Sequence, residues 1–429
     1  MLLLTPVVLV AAAAATQGSF PIGHETVTWT DPARNNRSIT TEIWYPATST
    51  GDSTPVATPP PGGFPVISFG HGFLMPAERY GFLWEGLVPE GFIVVLPRTE
   101  GSVFANHEAF GLDLAFTIAR MQLEGATPGS PFEGAIGERS AVGGHSMGGG
   151  ASVLAASYDS GIDAVFNLAA AETNPSAVAA AAAVFQPSLM IAGTADCVTP
   201  VDDHQGPIHN ALAASCRLLV ELDGASHCQF AASDFFCNTG EFCSAAISRA
   251  VQQEQTLALA LPWLNAQLRD DGSAWIQFAG ALSGPGLAAV NGGCNPGPLR
   301  ICEASANSSG QGATMTTTGS SGLAANDLVL VASSLPASTV GLFIYSGASS
   351  DLPFGNGTLC LGGMLRRLPV EVASAGGVMT HAVDSAAVSA PAGPIVEGTT
   401  WGFQAWFRDT AAGGAQFNLS EALAISFES

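Results

Sequence analysis

The chain of 429 residues contains no lysine. Its 13 basic residues are all arginine and face 35 Asp and Glu, for a formal net charge of −22. Binding nucleic acid through its phosphates, or an anionic membrane, needs a basic patch that this balance excludes. The acidity reads as a source of solubility rather than as a site for a cationic partner. No C-x-x-C pair occurs among the eight cysteines, which argues against a zinc site. Beyond about residue 15 no apolar run is long enough for a transmembrane helix. Charged residues are scarce at 11%, whereas hydrophobic residues reach 47%, enough for a sizeable core. A chain of this length exceeds one ordinary compact unit, so two domains are expected.

The first residues, Met1 to about Ala15, are apolar and end in small side chains. They are too short to span a bilayer and read as a secretory signal peptide over residues 1–18, although no Lys or Arg precedes the apolar run. No cysteine follows that run, which argues against a lipoprotein. An even cysteine count suits an oxidising compartment, so a secreted protein, extracellular or periplasmic, is expected. The plausible bridges are Cys197–Cys228, Cys237–Cys243 and Cys294–Cys302. Connectivity does not follow from spacing alone.

Two strand-like runs, residues 25–30 and 38–45, flank the polar turn at residues 31–36 and predict a hairpin. From Pro65 onward short apolar runs alternate with helical stretches. Strands are expected at 65–69, 92–96, 141–144, 162–168, 188–192 and 217–222. Helices are expected at 80–88, 106–123, 174–184, 203–214 and 244–268. Continuous apolar runs of this length are the pattern of buried parallel strands. The expected fold is therefore α/β over residues 19–272, a mostly parallel sheet with helices on both faces. Beyond Arg269-Asp270-Asp271-Gly272 the composition shifts to Gly, Ser, Thr and Ala. Strand-like segments at 328–332, 340–345, 364–372 and 400–407 predict a second, all-β, sandwich-like domain over 273–429. Trp275–Phe278 sits at this boundary and fits either side.

The chemistry concentrates at Gly144-His145-Ser146-Met147-Gly148. A G-x-S-x-G match between an apolar strand and an alanine-rich helix is the setting of a nucleophile elbow. A serine hydroxyl needs a general base, and the base needs an orienting acid. Asp196 follows the strand 188–192 and His227 follows the strand 217–222. Both therefore sit at strand C-termini, on the sheet edge that carries Ser146, and the three read as a catalytic triad. Asp202 and Asp203 are better explained as caps of the next helix, and Glu172 as a loop residue facing solvent. His204 and His209 read as helix-surface residues. His145 belongs to the elbow and points away from the nucleophile's work. The loop Gly70-His71-Gly72-Phe73 follows the strand 65–69 and is placed to donate an oxyanion-hole amide. Phe73 and Met147 are the expected backbone donors. His71 and Phe73 border the expected substrate pocket.

The segments FPVISFGHGF, GGHSMGGGASVL, LMIAGTADCVTP and VELDGASHCQF resemble the dienelactone-hydrolase and polyester-hydrolase (cutinase-like) branch of the α/β-hydrolases. The opening DPARNNRSITTEIWYPA resembles the hairpin of platelet-activating-factor acetylhydrolase-type enzymes. The resemblance covers about residues 22–268. It implies a carboxylic-ester hydrolase without a cofactor or metal, with Ser146, Asp196 and His227 as triad and Phe73 and Met147 as oxyanion donors. Related bacterial polyester hydrolases carry a substrate-stacking Trp where this chain has Ala171. The resemblance therefore implies a more open pocket, or one filled by Phe104 or Phe230, and it leaves aromatic polyesters in doubt. The dienelactone hydrolases themselves use a cysteine, so that activity is not expected here.

The ending GFQAWFRDTAAGGAQFNLSEALAISFES resembles C-terminal β modules of secreted bacterial proteins, which implies surface attachment or secretion. Trp401 and Phe403 share a strand face, as sandwich core or as an aromatic platform for a glycan or polymer. The competing function is a surface-attachment or polymer-binding protein whose hydrolase domain serves as scaffold. Lactone opening and acyl transfer are further chemistries of the same triad.

Overall fold

In the computed structural model residues 19–385 and 395–428 are described, so the expected signal peptide over residues 1–18 lies outside the described residues. The chain enters as a long hairpin, β1 (Ile22–Asp31) and β2 (Arg37–Pro46), paired antiparallel in register from Ile22↔Pro46 to Asp31↔Arg37. The Asp31 carboxylate accepts the Ala33 N–H to close the turn. There follow β3 (Gly51–Asp52), β4 (Phe64–Gly70), β5 (Ile93–Pro97), β6 (Ile136–His145), β7 (Ala164–Leu168), β8 (Ser188–Gly193), β9 (Arg217–Leu222) and β10 (Leu287–Gly293). They form one ten-stranded sheet in the order β10-β9-β8-β7-β6-β4-β5-β2-β1-β3. Strands β4 to β9 run parallel, and β2 and β10 close the parallel block antiparallel on its two sides.

Helices cover both faces: α1 (Gly81–Leu87), α2 (His107–Ala126), α3 (Met147–Tyr158), α4 (Ala177–Ala181), α5 (Gln205–Ala211), α6 (Phe235–Gly240), α7 (Arg249–Arg269) and α8 (Gly272–Ala281). The two-residue period of a strand divides the core. Phe166, Leu189 and Ile191 pack on one face with Trp263, Leu264 and Phe278 of α7 and α8. Val165, Met190 and Ala192 pack on the other with Phe110 and Leu114 of α2 and Val153 of α3. Every residue of β4, β5, β7 and β8 is buried, which is why these runs are unbroken in the sequence. Strand β4 lies between β5 and β6, so chain direction through the sheet reverses there. The C-terminal ends of strands at such a reversal are where α/β sheets place their sites.

The sheet continues past the boundary expected at residue 272. Helix α8 packs against α7, with Trp275 and Phe278 in the same core as Trp263, and β10 adds to the edge of β9. Trp275 also donates its indole N–H to Ser426 Oγ at 2.7 Å, tying the sheet to the last strand of the chain. The remainder holds β11 (Leu299–Cys302), β12 (Thr314–Thr318), β13 (Val329–Ser333), β14 (Val340–Ser346), β15 (Ser349–Phe354), β16 (Gly357–Leu361), β17 (Arg366–Val372), β18 (Met379–Ala382), β19 (Thr400–Arg408) and β20 (Phe417–Ser426). A five-stranded sheet, β11-β20-β19-β14-β17, and a three-stranded sheet, β12-β13-β18, share one core, and β15 pairs with β16 apart from them. Phe343, Phe403 and Ile425 meet Met315, Leu330 and Met379 between the two sheets. Trp401 and Phe403 lie in this core at 5% and 0% exposure, so they form no surface platform.

All eight cysteines are paired, as Cys197–Cys243, Cys216–Cys294, Cys228–Cys237 and Cys302–Cys360. None of the expected pairs Cys197–Cys228, Cys237–Cys243 and Cys294–Cys302 forms. The register Gly293↔Arg217 brings the next residues out, Cys294 and Cys216, together, and this strand pairing has no signal in the spacing. Similarly, α6 carries Cys237 back to Cys228 and leaves Cys243 for Cys197. No described helix is long and apolar enough to cross a membrane.

A chain ending at residue 272 loses β10, the cover of α8 and the bridge that closes the loop from Cys216 to Cys294. A bridge over a loop of this size contributes about 4 kcal/mol. We expect that chain to melt well below one ending at residue 295, as read by thermal circular dichroism. Equal melting temperatures would show that the sheet closes without β10.

Candidate active site

Strand β6 ends at His145 and α3 begins at Met147, with Ser146 alone between them. Ser146 has φ 55° and ψ −119°, a conformation that non-glycine residues adopt only under tight restraint. The restraint is visible. Its N–H donates to Leu168 O at 3.0 Å, and its carbonyl accepts the amides of Ala171 at 2.8 Å and Gly150 at 3.2 Å. Two glycines let the strand and the helix approach this closely. A Cβ on Gly148 would overlap the Gly70 carbonyl, and one on Gly144 would overlap the Gly148 carbonyl.

The loop after β8 presents Asp196, and the loop after β9 presents His227, both buried. His227 Nδ1 lies 2.8 Å from Asp196 Oδ2. Asp196 Oδ1 accepts the amides of Val198 at 2.9 Å and Thr199 at 2.8 Å, and Thr199 Oγ1 donates to Oδ2 at 2.9 Å. A carboxylate with this many donors keeps one orientation. Nδ1 is thereby committed to the acid, which leaves Nε2 as the free nitrogen of the ring.

Residues that sequence reasoning missed hold His227 from behind. The Glu241 carboxylate accepts the His227 amide at 2.6 Å, the Cys228 amide at 3.3 Å and Ser226 Oγ at 3.2 Å. Gln252 accepts the Ser226 amide at 3.0 Å and donates to its carbonyl at 2.8 Å. Disulfides then bind the neighbours, Cys228 to Cys237 and Cys197 to Cys243.

Phe73 and Met147, the expected oxyanion donors, follow the ends of β4 and β6. Met147 is the first residue of α3, with no carbonyl one turn back to bond. The Phe73 amide meets no backbone or side-chain acceptor among the described residues. A buried relay joins this loop to the histidine. The Gly72 amide donates to Tyr80 Oη at 2.7 Å, and Tyr80 Oη lies 3.0 Å from His145 Nδ1. His145 Nε2 reaches the His227 carbonyl at 3.2 Å. Burial, and then the neighbouring His227, push the pKa of His145 well below its usual value. A neutral His145 with its proton on Nε2 satisfies every contact: Gly72 to Tyr80, Tyr80 to His145, His145 to the His227 carbonyl. His145 thus faces the site's framework and has a role there that the elbow motif alone did not reveal.

His71 is 1% exposed, and its ring nitrogens lie 2.9 Å from both Gly72 O and Thr99 O. It ties the Phe73 loop to the end of β5 and borders a cavity of about 230 Å³ with Met75 and Arg98. Ala171 is half-buried beside the nucleophile, its amide on the Ser146 carbonyl. Neither expected aromatic fills the space. Phe230 is wholly buried in the core against His145, because the turn after β9 folds it inward, and Phe104 is 90% exposed. Asp202 and Asp203 cap no helix, since His204 takes the N-cap of α5 without a side-chain bond. His204 Nδ1 instead accepts the Glu172 amide at 3.0 Å, and Glu172 itself accepts the Val178 amide at 2.9 Å. His209 is buried at 5% exposure rather than on the surface. Among the described residues no cluster of three or more His, Cys, Asp or Glu has metal-holding geometry.

Gly148→Ala should be poorly tolerated, because its new methyl meets backbone that cannot rotate away. The expected outcome is a loss of several kcal/mol, in the range of a buried steric clash, read as a lowered urea midpoint. A midpoint unchanged from wild type would show that the elbow has room to relax.

Comparison with known proteins adds to this geometry. A bis(hydroxyethyl) terephthalate hydrolase of Streptomyces coelicolor is 27% identical over 186 residues, 43% of this chain and 54% of that protein. The chain therefore spans about half the length of that relative. The PET hydrolase-like family matches residues 6–257, which include Ser146, Asp196, His227 and the Phe73 loop. With more than half of its length matched, the chain belongs to the PET hydrolase-like family.

Proposed function

We propose that the protein is a secreted serine hydrolase that cleaves carboxylic esters, with polyesters and their soluble fragments as the substrate class. The observation that carries the reading is the 2.8 Å contact of His227 Nδ1 with Asp196, on the same sheet edge as a serine held at φ 55°. Ser146 Oγ attacks the ester carbonyl as His227 Nε2 takes its proton. The amides of Phe73 and Met147 stabilise the oxyanion that forms. The intermediate collapses as His227 returns the proton to the departing alcohol. Water, activated by the same histidine, then attacks the acyl-enzyme and frees Ser146. Asp196 orients the ring and stabilises the imidazolium throughout.

Four disulfides fit an oxidising compartment and support secretion. Membership in a family named for PET hydrolysis, and a relative named for a terephthalate ester, support aromatic esters despite the small side chain at Ala171. The residues beyond 294 carry the attachment role in this reading, tested by comparing the binding of the full chain and of a chain ending at residue 295 to insoluble polymers.

Hydrolysis of p-nitrophenyl butyrate by the full chain tests the reading. Ser146→Ala should lower kcat by about 10⁴-fold or more. Equal rates in the two proteins would remove it. Tyr80→Phe breaks the relay at its centre and frees the loop that bears Phe73. We expect kcat about tenfold lower with KM within about twofold, the signature of a loss confined to the transition state. A change in KM alone would assign Tyr80 to substrate binding.

A further inference from the structure

Five phenylalanines stand exposed in the connections at the catalytic edge of the sheet, two of them on the short helix α6: Phe73 at 47%, Phe104 at 90%, Phe235 at 73%, Phe236 at 58% and Phe242 at 92%. Phe73 follows β4, Phe104 follows β5, and the other three follow β9 and His227. Single exposed hydrophobics are ordinary, but a concentration on one edge marks an interaction surface.

These loops are braced, so the exposure does not come from slack chain. Phe236 precedes Cys237, bonded to the neighbour of His227, and Phe242 precedes Cys243, bonded to the neighbour of Asp196. Asp234 caps α6, accepting the amides of Phe236 at 2.9 Å and Cys237 at 3.2 Å, and pairs with Arg79. The Glu241 carboxylate, between the phenylalanines, is turned inward onto the amides of His227 and Cys228. On the other side Glu100 accepts the Asn106 amide at 2.6 Å and pairs with Arg37, closing the loop that carries Phe104.

Charge indicates what the surface meets. In a chain of net charge −22, residues 72–77, 101–105 and 235–240 contain no charged side chain. Aromatic segments without charge complement an uncharged apolar phase. The arginines that flank them, Arg79 and Arg98, are engaged by Asp234, Glu42 and Glu78 rather than left to bind an anionic lipid headgroup or an acidic polymer.

We propose that these phenylalanines form a docking rim that adsorbs the enzyme, catalytic edge down, onto the surface of an insoluble polyester. The inference rests on the esterase reading for what happens after adsorption, but the adsorption itself does not require catalysis. The side chains of the rim deliver Ser146 to chains at the solid surface and contribute nothing to the hydrolysis of a small soluble ester, to which Phe73 lends only its backbone amide.

The test uses the full disulfide-bonded chain and the variant Phe235→Ser/Phe236→Ser/Phe242→Ser. Depletion of protein by amorphous poly(ethylene terephthalate) powder should weaken about tenfold. Release of soluble product from the powder should fall in parallel, while kcat/KM on p-nitrophenyl butyrate stays within about twofold. Unchanged depletion with intact soluble activity overturns the proposal. If the triple variant loses soluble activity through misfolding, Phe242→Ser alone decides: weaker adsorption supports the rim, and unchanged adsorption overturns it. Loss of binding to neutral phosphatidylcholine vesicles, with polyester adsorption intact, overturns the polyester assignment in favour of a lipid surface. Phenylalanine-dependent adsorption by a wild type inactive on the soluble ester would leave the rim standing and remove the esterase reading instead.

Discussion

The end of β6 and the first turn of α3 approach so closely that a Cβ on Gly144 would overlap the Gly148 carbonyl, and the site is built around that contact. Gly144 and Gly148 bring two backbones within the reach of a single methyl group. Only that approach lets Ser146 stand at φ 55° with its N–H on Leu168 and its carbonyl on Ala171 and Gly150. The same turn makes Met147 the first residue of the helix, with an amide free of the helical ladder. The proposed nucleophile and one proposed oxyanion donor are therefore set by one steric fact. The strain this stores is held by the buried strands on either side, β4 and β7, whose carbonyls and side chains leave no other path.

The rest of the site is arranged by hydrogen bonds that converge on His227. Its ring is held by Asp196 and Thr199, its amide by Glu241, and its carbonyl by His145. Through His145 and Tyr80 the histidine is coupled to Gly72, one residue before Phe73, the second proposed oxyanion donor. The proposed base and oxyanion loop thus share one buried framework although they follow strands that do not pair, β9 and β4. Burial makes this framework demanding, because each lost partner would leave a desolvated polar atom. The disulfides serve the same end from outside, binding the neighbours of Asp196 and His227 to the loop that carries Glu241.

Much of this was legible in the residues, and the failures have physical causes. The parallel strands announced themselves because they are buried on both faces, and β9 was placed to the residue. Ser146, Asp196 and His227 were legible as a candidate triad because strand ends put side chains in predictable places. Contacts across the fold were not legible. Glu241 reaches His227 from a loop, and Gln252 reaches the neighbouring Ser226 from a helix, and both approaches depend on tertiary packing. Cys216–Cys294 depends on the pairing of β9 with β10, which no local pattern encodes. Phe230 and Phe104 were equal candidates by type, yet one turns into the core and the other into solvent. The domain boundary was misplaced for a related reason. The composition changes at residue 272, but α8 and β10 still belong to the first sheet.

The central claim is that this framework activates Ser146 and no other serine. Labelling with a fluorophosphonate followed by peptide mass spectrometry tests it most directly. The account predicts one adduct per chain, on the peptide bearing Ser146, and its loss in His227→Ala despite an unchanged circular dichroism spectrum. An adduct on a different serine, or equal labelling without His227, would contradict it.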